Sequence, residues 1–265
     1  MYVKYEIVKK LKKNILLSIL ITLSVLAAVN TKAQRSKVLN LPTYNQQPYH
    51  FGFILAANQM LFSIKPADNL QNIKFTTEQS PDIYADSLFV YGVTSTPTPG
   101  FSIGILGNLL TGKYVDFRFI PSLSFGERLL NYKILAYKND TSFLVNTQKS
   151  VTSTYVEFPF IFKYRSKRLN NMNAYVLGGI QYSIDLASRK KASDNETDVS
   201  IKLKRHDIYA EVGVGFDFYT NYFKFGTELK MGYGLNNILL KEDNIYSGSI
   251  DFLRSKVFML SFTFE

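Results

Sequence analysis

The stretch KVFMLSFTFE, Lys256–Glu265, alternates without a break. Phe258, Leu260, Phe262 and Phe264 fall on one side of an extended chain, and Met259, Ser261, Thr263 and Glu265 on the other. Successive side chains of a strand point to opposite faces, so this segment reads as a strand with one aromatic face and one mixed or polar face. The same pattern recurs upstream. Phe51, Phe53, Leu55 and Ala57 share a face; so do Phe101, Ile103, Ile105 and Leu109. Val115, Phe117, Phe119, Leu123 and Phe125 oppose Asp116, Arg118, Ser122, Ser124 and Gly126, and Val156, Phe158, Phe160, Phe162 and Tyr164 oppose Glu157 and Lys163. A fifth strand near Ala174–Ile184 has two fairly apolar faces. A sixth sets Ile208 to Phe218 against Asp207, Glu211 and Asp217, and a seventh sets Phe223, Phe225, Leu229, Met231 and Tyr233 against Lys224, Glu228 and Lys230.

The connections alternate in length. Long ones are expected at Gln59–Pro99, Ala187–Arg205 and Leu235–Arg254, with a moderate loop at Lys138–Ser150. Short ones are expected at Thr111–Lys113, Ser166–Asn173 and Tyr219–Tyr222. Even strand number with short turns at one end and long loops at the other is the pattern of an outer-membrane barrel. The expectation is an all-β fold, an eight-stranded antiparallel transmembrane β-barrel with both termini periplasmic. Strands one and two are expected to continue past the membrane as a hairpin, a docking surface whose edge could pair with another chain.

Charge decides which face is which. A cation on the lipid face at mid-bilayer costs ~2–4 kcal/mol. Asp116, Arg118, Glu157, Lys163, Glu211, Asp217, Lys224, Glu228 and Lys230 therefore read as a structural charge network inside the barrel. An eight-stranded interior is just wide enough for side chains to fill, so a plugged lumen is expected rather than a conducting pore. The rival is a soluble lipocalin-type barrel with its aromatics inside. Too many large rings for a small interior, and too many glycines and serines on the opposite face, count against it.

The first residues read as a targeting segment. Lys4, Lys9, Lys10, Lys12 and Lys13 precede an apolar run from Ile15 to Val29 and a small-residue site at Thr31–Ala33. Residues 1–33 are expected to be a cleaved signal peptide, 34–48 an N-terminal periplasmic segment, and 49–265 the barrel. An uncleaved anchor helix is the alternative, though the run is short for one. The whole chain carries a formal charge of +10. About half of that excess leaves with the signal, which weakens a nucleic-acid reading. Without cysteine, disulfides and thiolate chemistry are excluded.

Nothing in the spacing selects a catalytic set. His50 and His206 sit near strand ends and show no metal-ligand spacing, and there is no GxSxG or Walker-type loop. The expectation is no enzyme, no cofactor and no small-molecule substrate. Arg189, Lys190, Lys191, Lys202, Lys204 and Arg205 flank an acidic centre and are expected either to meet outer-leaflet phosphates or a partner, or to form a solvated loop. Arg165, Lys167 and Arg168 lie at the opposite end.

Several segments taken together resemble the PorT-type outer-membrane proteins of Bacteroidota. They are YGVTSTPTPGF (Tyr91–Phe101), DFRFIPSLSFGERLL (Asp116–Leu130), EFPFIFKYRSKR (Glu157–Arg168), DLASRKK (Asp185–Lys191), FKFGTELKMGYGLNNIL (Phe223–Leu239) and SKVFMLSFTFE (Ser255–Glu265). The likeness runs from about Leu41 to the end. It implies a non-catalytic component of the type IX secretion machinery, which exports proteins and supports gliding motility, with other components of that machinery and outer-membrane lipid as partners. It carries over no catalytic residue. The alternative is a free-standing barrel, a passive porin or a surface adhesin.

Overall fold

A computed structural model describes residues 38–80, 82–187 and 201–265. The expected signal peptide at 1–33 lies outside them, as do Arg189, Lys190 and Lys191. The strands are β1 (Tyr49–Pro66), β2 (Ser87–Thr96), β3 (Thr98–Leu110), β4 (Val115–Phe119), β5 (Ser122–Lys138), β6 (Thr141–Arg165), β7 (Met172–Asp185), β8 (His206–Tyr219), β9 (Lys224–Gly234) and β10 (Ile250–Phe264). The pairings are antiparallel, and β1 pairs with β10 on one side and β3 on the other, which closes the sheet.

Eight strands are expected, and ten are present among the described residues. Only Pro97 separates β2 from β3, and only Ile120 and Pro121 separate β4 from β5. Each of these pairs forms one stave, so the ten strands make eight staves. Proline has no N–H to give to the ladder, so it interrupts the strand. The alternation survives the second break: Arg118 and Ser124 are both fully buried, one on each side of it.

The outward face is a continuous apolar belt. Phe53 is 49% exposed, Phe162 58%, Phe216 47% and Leu229 61%. So much contiguous apolar surface has no place in water. The lipocalin arrangement would bury these rings and expose Lys163 and Glu228; here both charges are buried. No helix among the described residues is long and apolar enough to cross a membrane. The crossing belongs to the strands, which satisfy their backbone groups by closing on themselves.

One end of the barrel carries the short connections after β3, β6 and β8, together with the start of β1 and the end of β10. The other end differs from expectation in three places. The loop expected at Lys138–Ser150 is a two-residue turn. Asn139 and Asp140 have φ of 47° and 59°, the left-handed pair that a type I′ hairpin requires and that Asn and Asp tolerate. The strands simply continue: β6 has 25 residues, against the roughly 9–11 that cross a bilayer. Next, the extended first two staves do not pair as a hairpin beyond the wall. Above Thr96, β2 pairs with β5, from Thr96↔Leu129 to Ser87↔Tyr137. A register shift between Val90 and Gly92 keeps Leu88, Val90 and Val93 all buried. Lastly, the Leu235–Arg254 loop ends early, because β10 begins at Ile250 after a short helix α1, Ile245–Gly248, capped by the Asn244 side chain.

These extensions bury a second core that the alternation did not announce. Phe62, Leu70, Phe75, Leu88, Val90, Leu130, Tyr132, Ile134, Val151, Ile201, Leu203, Ile238, Ile245, Tyr246 and Leu253 pack together over the long-loop end. Each fully buried large apolar side chain contributes about 1.5–3 kcal/mol, so the cap is a stable body and not a set of loose loops.

Candidate functional site

The candidate site is the lumen and the two structures that close it. At the short-turn end, the segment after Leu39 packs with the barrel as one unit. Tyr44 stacks on His50 with centroids 3.7 Å apart and meets the Tyr219 ring edge-on at 5.7 Å. Its hydroxyl donates to Glu265 Oε2 at 3.0 Å, and Asn45 accepts from Arg165 Nη1 at 2.6 Å. This end is stoppered by aromatic stacking and anchored by buried charge.

All nine charges expected inside are buried. Arg118 is the hub: it pairs with Glu228 at 2.6 Å and Glu265 at 2.7 Å, and its Nε donates to Asn108 at 3.1 Å. Lys163 pairs with Asp217 at 2.6 Å, Lys230 with Glu211 at 3.0 Å, Lys224 with Glu265 at 2.9 Å, and Arg165 with Asp116 at 3.3 Å. Among the described residues Glu157 has no cation at ion-pair distance; Ser124 and Ser122 donate to it at 2.6 and 3.3 Å. Tyr175 stands in the middle. Its hydroxyl donates to Glu228 Oε1 at 2.9 Å, and Lys163 lies 3.6 Å from its ring centroid. Gly215 makes room for that ring: a Cβ there would stand 2.6 Å from Tyr175 Cζ.

Beyond those nine, Arg165, Glu265 and Arg128 also turn inward, and Asp185 and Asp207 are buried as well. Arg165, grouped above with Lys167 and Arg168, is the last residue of β6 and pairs with Asp116. Glu265 continues the inward parity of Ser261 and Thr263, a signal that was available in the terminal alternation. Arg128 continues the parity of Ser124 and Gly126 past the point where the third strand was ended. It is fully buried between Phe62 and Tyr155, 4.9 and 5.0 Å from their centroids, and donates to Ser255 Oγ at 3.2 Å. Among the described residues it has no carboxylate partner at ion-pair distance. It marks the boundary between the ionic lumen and the apolar cap.

Chemically, this arrangement neutralises charge and fills space. A cavity between Glu157, Gln181, Tyr209, Glu211 and Lys230 has a volume of about 10 Å³, the size that holds at most one water. His50 and His206 lie at opposite ends of the barrel. His206 Nδ1 is 2.7 Å from Tyr182 Oη, and His50 Nε2 is 2.9 Å from the Tyr44 carbonyl oxygen.

The second half of the expected basic loop is not free. Ile201 and Leu203 are buried in the cap, Leu203 bridges to Leu239, and Lys202 pairs with Glu242 at 2.7 Å. Lys204 is exposed, and Arg205 half-buried. The alternation of Ile201 and Leu203 with Lys202 and Lys204 explains why one face of this segment turns inward.

Residues 45–240 match the family described as outer membrane protein beta-barrel domain. The chain belongs to that family. As an outer-membrane β-barrel domain, it presents its phenylalanine rows to lipid and its ionic rows to the lumen, the arrangement the burial pattern displays. No curated protein matches the chain. Among solved structures, it is similar to the crystal structure of the outer membrane protein OprG from Pseudomonas aeruginosa, at 13% identity over 80% of this chain and 95% of that one, with a TM-score of 0.33.

Proposed function

We propose that this outer-membrane barrel is a non-catalytic accessory or assembly component of a type IX protein secretion system, the machinery of protein export and gliding motility in Bacteroidota. The observation that carries this reading is a lumen filled with paired charges and closed at both ends. Among the described residues such a barrel leaves no open passage, and in this reading it works through its surfaces. The resemblance of residues 41–265 to PorT-type proteins supplies the machinery. In this reading both termini are periplasmic, and the cap and long loops lie outside the cell. Its partners are other secretion components and outer-membrane lipid.

A passive porin or a surface adhesin is the second reading. Deleting the gene and purifying the tagged barrel in mild detergent separates the two. The secretory reading expects lost export of secreted proteins, other outer-membrane or periplasmic components in the eluate, and no unitary conductance in planar bilayers. Intact export, with either steady conductance or surface binding by the lone barrel, would replace it with the porin or adhesin reading. Crosslinkers placed at Gln59–Pro99 and Ser166–Asn173 would report which end makes the contact.

A further inference from the structure

The outer wall of β9, β10 and β1 carries two features stacked one above the other. Near the long-loop end, Ser63, Lys65, Tyr233 and Arg254 surround a depression of about 270 Å³. The register sets Arg254 beside Ser63, and Lys256 beside both Leu61 and Tyr233. Lys65 is held by Asp251 at 2.9 Å. Arg254 and Lys256 make no ion pair among the described residues, and Arg254 Nε is shielded from solvent without a hydrogen-bond partner. Their charges lie over aromatic rings, Arg254 at 5.6 Å from Phe252 and Lys256 at 5.1 Å from Phe258.

Directly below, toward the barrel waist, the same wall and the adjoining β8 are hollowed into an apolar groove of about 710 Å³, lined by Ala57, Val212, Val214, Leu229, Phe258 and Leu260. Lys256 and Phe258 sit two residues apart on one face, so Lys256 stands about 7 Å above the groove and Arg254 about 13 Å above it. The wall of β2, β5 and β6 differs. There Thr96, Asn131, Glu127 and Ser150 satisfy one another, Asn131 donating to Thr96 at 2.7 Å and Ser150 to Glu127.

An unpaired guanidinium and ammonium attract a phosphate. A lipid-facing apolar hollow beneath them attracts a hydrocarbon chain. One molecule with both parts is an anionic lipid. We propose that the β9–β10–β1 wall is a specific site for a phosphate-bearing membrane lipid, its phosphate held by Arg254 and Lys256 with Tyr233 and Ser63, and an acyl chain in the groove. Assigning that lipid to the outer leaflet rests on the orientation given under Proposed function; the site itself does not.

The test is native mass spectrometry of the full chain, extracted in detergent and exposed to phosphatidylglycerol or phosphatidylcholine. The unmodified protein is expected to keep phosphatidylglycerol adducts in preference to phosphatidylcholine. Arg254→Gln combined with Lys256→Gln removes only outward-facing charge, and is expected to lower phosphatidylglycerol retention about tenfold. Ala57→Phe, filling the groove, is expected to weaken both lipids. Lys133→Gln on the other wall changes neither. A heat-modifiable gel shift verifies that each variant is folded. Equal retention by the double variant would overturn the proposal. So would displacement of the lipid by an equal concentration of inorganic phosphate, which would mark a simple anion site. Because the measurement is made in detergent, a wrong orientation cannot produce either result.

Discussion

At the residue scale, Arg118 is the group on which the lumen depends most. It holds two carboxylates, Glu228 and Glu265, that would otherwise share a dry space. Removing one partner of a buried pair leaves an uncompensated charge and costs about 3–5 kcal/mol. Arg118→Met is therefore expected to lower the urea midpoint of the barrel in lipid vesicles, with a loss of unfolding free energy of about 3–5 kcal/mol. Asp116→Asn, which releases only the 3.3 Å contact to Arg165, should cost less. An unchanged midpoint for Arg118→Met would mean the lumen is hydrated enough to screen both carboxylates. Inward parity was legible for nine charges. Their partners were not, because alternation assigns a side chain to a face and says nothing about its neighbour four staves away. Arg118 and Glu228 are 110 residues apart in sequence.

At the element scale, the cap is built by strands that outrun the membrane. Tyr132 and Tyr246 meet edge to face at 5.1 Å, and Tyr132 donates to the Tyr246 carbonyl at 3.2 Å. Burial raises the Tyr132 phenol, and burial together with the nearby Asp82 pushes Tyr246 up to about 12. A phenol whose folded pKa is raised stabilises the fold fully below its unfolded value of about 10, and that contribution is lost as pH rises toward the folded value. The cap is thus expected to stay protected from protease up to about pH 10 and to open between there and about pH 12, while the strand signal in circular dichroism persists. Protection unchanged across that window would sink the idea that these two phenols hold the cap. The cap was hidden from a reading by alternation for a plain reason. Leu88, Val90 and Val93 do not keep one parity, and the register shift that reconciles them is a property of β2 paired with β5.

At the scale of the whole molecule, both ends are closed by different chemistry, aromatic stacking at one and an apolar core at the other. The chain has no cysteine, so a single introduced thiol reports sidedness without background. Asn139→Cys, at the tip of the β5–β6 hairpin, is expected to react with an impermeant maleimide on intact cells. Asn221→Cys, in the exposed turn before β9, is expected to react only after lysis. The reverse pattern would turn the barrel over and with it the assignment of the lipid site to the outer leaflet. The seam that makes the barrel whole joins β1 to β10 from Phe53↔Phe264 to Lys65↔Phe252.

The amino-acid sequence by itself determined the wall: period-two alternation is a local property of each strand, and the cost of a charge in lipid decides which face turns out. It also determined that ionic side chains fill the interior, since eight staves leave them nowhere else to go. Tertiary structure alone decided which cation meets which carboxylate, that Arg128 lies between two rings with no carboxylate at ion-pair distance among the described residues, and that the long connections fold into a packed cap. Those outcomes depend on contacts between residues a hundred or more positions apart, and no repeat along the chain encodes them.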